Sequence, residues 1–227
     1  MSLFKKSLIT IFSLIIIWQL FFVVFRPVLV NLYITAATKY ARGQFVCTLD
    51  KNGRHVGKLY KFNKDKKELI HTSTSSSCIF SRPKINTGFF VFAIGGGGGA
   101  TPYESGKSGQ IVSKHIRITN PVIAIKIGKG GKGTHMEGTA FVDAKDGADT
   151  TIPDLKIIAH GGSKSTRMTP LGEAEKQPEY HIPDRYHQLY DISKSAKYGV
   201  GGKSDGSREN VSEDLHNGHS GAVVIQW

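Results

Sequence analysis

Asp143, Asp146, Asp149 and Asp154 lie close enough in the chain to supply paired carboxylates. A glycoside hydrolase sets two such groups about 5–10 Å apart. These four stand among Gly147, Thr150 and Pro153, where aspartate side chains favour turns, and turn formation accounts for them better than catalysis. Their spacing is not that of a Ca²⁺-binding EF-hand loop. Gly128-x-Gly130-x-x-Gly133 follows an apolar run and matches the dinucleotide fingerprint by letter. That fingerprint requires a helix opening at the glycines. Residues 132–138 instead contain two glycines and no amphipathic period, so a hairpin turn is expected. Gly106-Lys107-Ser108 suggests a phosphate loop, but the required earlier glycine is Thr101 and the following stretch alternates like a strand. His216 and His219 lack zinc-ligand spacing and a cysteine partner. No nucleophile elbow is present. The expectation is a chain without enzymatic activity, cofactor or metal.

Recognition is the remaining chemistry. Residues 163–198 are polar, carry three prolines and read as an excursion holding Tyr180, His181, Tyr186, His187 and Tyr190. Tyrosine offers large contact area at low entropic cost, and loops on a rigid scaffold often carry binding. These five are the candidate binding residues. The net charge is +12, from 30 Lys and Arg against 18 Asp and Glu. Such a balance favours anionic surfaces, a cell-surface glycan among them. Lys58 to Lys67 interleaves basic and aromatic residues, but a solvated strand face explains it better than nucleic-acid binding.

The scaffold that would position these residues is written in glycine. Phe90 to Ile94 runs into Gly95, Gly96, Gly97, Gly98 and Gly99, and Val122 to Ile127 runs into Gly128, Gly130, Gly131 and Gly133. Gly161 and Gly162 follow a third apolar run, Gly201 and Gly202 come later, and the chain closes on Ala222 to Trp227. Repeated glycine makes sense where only its freedom or its missing Cβ will serve. Val112, Ile116 and Ile118 share one strand face, and so do Val223, Ile225 and Trp227. The class is all-β: a glycine-rich, β-sandwich-like domain over 83–227, preceded by a small β-hairpin region over 43–82. Asn52-Gly53 marks the hairpin turn, and Thr72 to Ser77 reads as a linker.

Residues 1–42 form an anchor and stalk. Ser7 to Phe25 is uncharged and about 19 residues long, enough for a helix across the hydrocarbon core. A cleaved signal peptide would have a shorter apolar core and a nearer small-residue site. A single-pass membrane protein with its C-terminal domain outside the cytoplasm is expected. In an exported domain the pair Cys47 and Cys78 favours a disulfide, with two buried free thiols as the alternative.

The order of glycine clusters and strands, with Gly147-Ala148-Asp149-Thr150-Thr151, Ile158-Ala159-His160-Gly161-Gly162 and the terminal Gly221-Ala222-Val223-Val224-Ile225-Gln226-Trp227, resembles the glycine-rich domain of phage tail fibres and bacterial surface proteins. The resemblance covers about residues 85–227. It implies a β domain for attachment or assembly, without catalytic residues and with the prospect of a homo-oligomer. The chain departs from it in its anchor and excursion, and its smaller glycine count tells against packed polyglycine helices. A subunit like those of type IV pilins and a surface polysaccharide hydrolase are the alternative readings.

Overall fold

The computed structural model describes residue 19 and residues 42–63, 66–84, 88–137, 140–166, 182–204 and 216–227. The expected anchor lies outside them apart from the helical Gln19. Among the described residues no helix is long and apolar enough to cross a membrane. The chain is mostly β with almost no helix.

Six antiparallel strands make the main sheet: β1 (Gly43–Leu49), β2 (His55–Asn63), β3 (Lys66–Ser75), β5 (Phe89–Ile94), β6 (Ile111–Ile116) and β12 (Ala222–Gln226), in the order β3-β2-β1-β12-β5-β6. The β1–β2 turn reverses at Gly53, whose φ of 71° favours glycine. The Thr72–Ser77 run is largely strand rather than linker, because Thr72 and Thr74 pair with Lys58 and Val56. The hairpin region is therefore continuous with the glycine-rich domain through β12, which pairs with β1 and β5. As a central strand β12 buries both alternating sets, Val223 and Ile225 on one face and Ala222 and Val224 on the other.

Four short strands face one side of this sheet. β4 (Cys78–Ser81) pairs with β7 (Val122–Ile125), and β10 (Thr150–Ile152) pairs with β11 (Ile157–Ala159). A bridge between Lys126 and Thr151 joins the two ladders. Phe80 packs against Phe45, Phe89 and Trp227 at ring separations of 5.3, 6.1 and 5.7 Å. The Cys47–Cys78 disulfide ties β1 to β4. The opposite face, with Phe92, Ile94 and Val224, is covered by Ile182, Tyr190 and Ile192 around helix α1 (Asp184–Leu189).

Beyond the sheet the glycine segments form a bundle of extended chain. Residues 95–101 run along its axis. Gly96 and Gly99 donate to Ala148 and Lys145; Gly97 and Ala100 donate to His219 and His216; Gly98 donates to Lys107. In return Gly131 and Thr134 donate to the carbonyls of Gly97 and Ala100, Gly162 and Ser165 to those of Gly96 and Gly99, and Gly202 to that of Gly98. The same neighbour recurs every third residue, the repeat of a polyproline II-type helix. The segments that accept run antiparallel to the axis, and those that donate run parallel to it. The six neighbours also bond to one another in a closed ring, through Gly147 to Gly162, Lys107 to Ser163, Gly106 to Gly202, His219 to Val200, Gly218 to Gly131 and Ala148 to Lys129.

This packing corrects two expectations. Polyglycine-type packing is present despite the modest glycine count, because glycine is needed only where a segment faces another. Residues 128–133 are a bundle segment rather than a hairpin turn, their glycines facing neighbours while Lys129 and Lys132 point outward.

A Cβ on Gly98 would stand 2.1 Å from the carbonyl oxygen of Ser163, with backbone on every side and nothing flexible to yield. Gly98→Ala is expected to cost at least about 3 kcal/mol in urea unfolding, against less than about 0.5 kcal/mol for the outward Lys129→Ala. Replacing both cysteines with alanine is expected to cost about 3–4 kcal/mol in the same measurement.

Candidate functional site

The bundle has two different ends. At one, its segments continue into the strands: Gly95 follows β5, Gln110 precedes β6, Gly221 precedes β12. At the other end the chain makes its connections. Thr101 and Glu104 form a bridge closing the 101–104 turn. The Thr101 hydroxyl lies 3.1 Å from that of Ser165, and Ser165 Oγ donates to Glu104 Oε2 at 2.7 Å. The Ser105 and Ser204 hydroxyls are 3.4 Å apart, and Gly133 N–H donates to Asn217 Oδ1 at 2.8 Å. The hairpin of β8 (His135–Glu137) and β9 (Ala140–Val142) also starts here, directly after Thr134. The 101–104 turn and the β8–β9 hairpin thus leave from one face of the bundle.

The latch residues Thr101, Glu104 and Ser165 were not among the candidates read from the sequence. Hydroxyls beside a carboxylate are common in loops, and only the bundle brings positions 101 and 165 together. The outward residues did carry a signal. Lys126, Lys129 and Lys132, Asp143, Asp146 and Asp149, and His160, Ser163 and Thr166 recur at every third place and all are exposed. That is the period of a three-residue helix with one face in water.

Two of the four clustered carboxylates hold segments together. Asp149 Oδ1 accepts from Gly161 N–H at 2.8 Å while Oδ2 lies 3.2 Å from His160 Nδ1. Asp146 Oδ1 accepts from Lys164 N–H at 2.7 Å. They clasp neighbouring segments, which differs from the turn role expected of them.

The tyrosine-rich excursion divides. Tyr180 and His181 lie outside the described residues. Tyr190 is fully buried and is a core residue: its hydroxyl donates to the Val91 carbonyl at 3.1 Å and lies 2.8 Å from Ser113 Oγ. Burial pushes its proton affinity up. Tyr186 is half-buried against Phe92, 5.6 Å between rings, and His187 Nδ1 contacts the Ile192 carbonyl at 3.0 Å. Of the five, Tyr186 and His187 keep partial exposure beside the sheet, away from the connecting end. The thirteen glycines named from the sequence all sit in the bundle, each with backbone or the buried His216 where a Cβ would go.

His55 stands where sheet meets bundle. Its Nε2 accepts the Ile127 N–H at 3.0 Å, which requires the neutral ring. Burial, then the charges of Lys126 and Lys129, hold its pKa below the ordinary 6.5. The unfolded chain then takes up a proton that the folded chain refuses. Stability is therefore full above about pH 6.5 and declines as pH falls through that value towards the folded pKa. His219, lowered by desolvation and by Lys197 and Lys203, acts with the same sign. Urea midpoints at pH 7.5 and pH 5 are expected to show this loss, and His55→Gln to shrink the difference between them.

No curated protein and no solved structure gives a significant match to the chain. Residues 72–179 match the family model described as a glycine-rich domain. That stretch takes in the bundle's axis with four of its six surrounding segments and, near its start, the disulfide-bonded Cys78; over it, the chain resembles the glycine-rich domain of that family.

Proposed function

We propose that the chain is a non-enzymatic, membrane-anchored surface protein, exported, in which the bundle serves attachment or assembly by holding recognition loops away from the sheet. One observation carries this reading: the 101–104 turn and the β8–β9 hairpin leave from the end of the bundle remote from the sheet. A rod whose interior is backbone alone has no side chains to rearrange, so its end keeps its shape while the loops vary in sequence. The buried Cys47–Cys78 disulfide supports an oxidising compartment, and the apolar run over residues 7–25 supports an anchor. Asp146 and Asp149 are occupied in clasping segments, which favours attachment over hydrolysis. A surface glycan is the ligand class that best suits the net charge.

Because both native cysteines are buried and bonded, they make a silent background for a reporter. Ser163→Cys places one exposed thiol on the flank of the bundle. In intact cells expressing the chain, a membrane-impermeant maleimide is expected to label it. Labelling that appears only after lysis would put the domain in the cytoplasm and overturn the reading.

A further inference from the structure

Lys129 and Lys132 occupy successive outward positions of one bundle segment, Lys126 stands three residues earlier on the bridge to Thr151, and all three are exposed. At about 3.1 Å per residue Lys129 and Lys132 stand about 9 Å apart along the bundle. Further lysines stand on neighbouring segments. Lys145 belongs to the segment on one side, where Lys145 N–H bonds to the Lys132 carbonyl. On the other side, beyond the segment of residues 216–221, comes Lys203. The acids nearest the row are Asp143, Asp146 and Asp149; of these, Asp146 and Asp149 are turned to the segment of residues 160–165. Among the described residues no ion pair engages Lys126, Lys129, Lys132 or Lys145.

We infer that this row binds a linear acidic polysaccharide lying along the bundle, with one acid group meeting each lysine. The spacing decides between polyanions. A step of about 9 Å is close to the length of one disaccharide, whereas each strand of a DNA duplex carries a charge about every 3.4 Å. The row also contains no aromatic ring on which a base would stack. The bundle enforces this step between Lys129 and Lys132: Gly130 and Gly131 between them are committed to backbone packing, so the two lysines cannot close up. The inference deepens the attachment reading and takes its biological setting from it, but the binding itself is independent of export.

The test uses the full chain in detergent, with hyaluronan as a probe carrying one carboxylate per disaccharide. Uncharged dextran and single-stranded DNA of matched length are the comparisons. Lys126→Gln, Lys129→Gln and Lys132→Gln together are expected to weaken hyaluronan binding about tenfold or more at moderate salt. Lys66→Gln, Lys114→Gln and Lys194→Gln, the same change in net charge elsewhere, are expected to change it less than about twofold. Unchanged thermal unfolding of both triples confirms an intact fold. Equal weakening by both triples, equal binding of dextran, or tighter binding of DNA through the same lysines would overturn the assignment. Row-dependent hyaluronan binding by a chain whose Ser163→Cys thiol labels only after lysis would sustain the site and remove the surface role.

Discussion

Everything beyond the sheet depends on residues 95–100 having no side chain larger than a methyl group. Each residue from Gly96 to Ala100 gives its N–H to one neighbour and its carbonyl to another, so six surrounding segments hold to the axis through backbone alone. One such bond contributes only about 1 kcal/mol net, but a buried peptide group left unpaired costs more than that. Gly96 to Ala100 meet this demand, and the condition is an approach so close that a Cβ on any of Gly95 to Gly99 would stand about 2 Å from a carbonyl oxygen. Collagen meets a related crowding with glycine at every third residue. Here the axis is crowded on all sides and needs a continuous run, while the outer segments are free to carry lysine, aspartate or serine where they face water.

The sheet supplies what the bundle lacks. A bundle without apolar side chains has little hydrophobic driving force of its own. Its segments are therefore tied to strands whose side chains do bury: Phe89 to Ile94 before the axis, Ile123 to Ile127 before the lysine row, and Val223 to Ile225 at the end of the chain. The last strand enters the middle of the sheet, between β1 and β5. The sheet cannot close until Ala222–Gln226 is available, and closing it aligns residues 216–221 beside the axis. The disulfide ties the neighbouring edge of this core to the facing layer.

This division of labour moves chemistry to the periphery. Along Gly95 to Gly99 the interior of the bundle offers no side chain to bind or react, and the outward residues are spaced by the helix repeat rather than by local choice. Recognition then belongs either to the connections at the remote end or to the flanks. The two places differ physically. The connections are not bound by the helix repeat, while the flank presents its residues at the step of that repeat. The tyrosines that read as recognition residues are partly drawn into the core, because the segment containing them covers the apolar face of Phe92 and Val224.

The sequence by itself determined the β class, the hairpin turn at Asn52-Gly53, the pairing of Cys47 with Cys78 as the favoured state, and the glycines as architecture. Those follow from local rules: alternation, turn residues, and the entropic cost that makes a glycine cluster purposeful. The three-residue period of the outward lysines is also present in the sequence, though it acquires meaning only on a three-residue helix. Tertiary structure alone decided that residues 128–133 are a bundle segment and not a turn, since the same glycines satisfy either. It also decided that Tyr190 is a core residue, that Thr101 meets Ser165, and that the closing strand lies centrally. Each of these depends on partners distant in sequence, and a backbone that bonds only to other segments leaves no pattern of its own in the sequence beyond the absence of side chains.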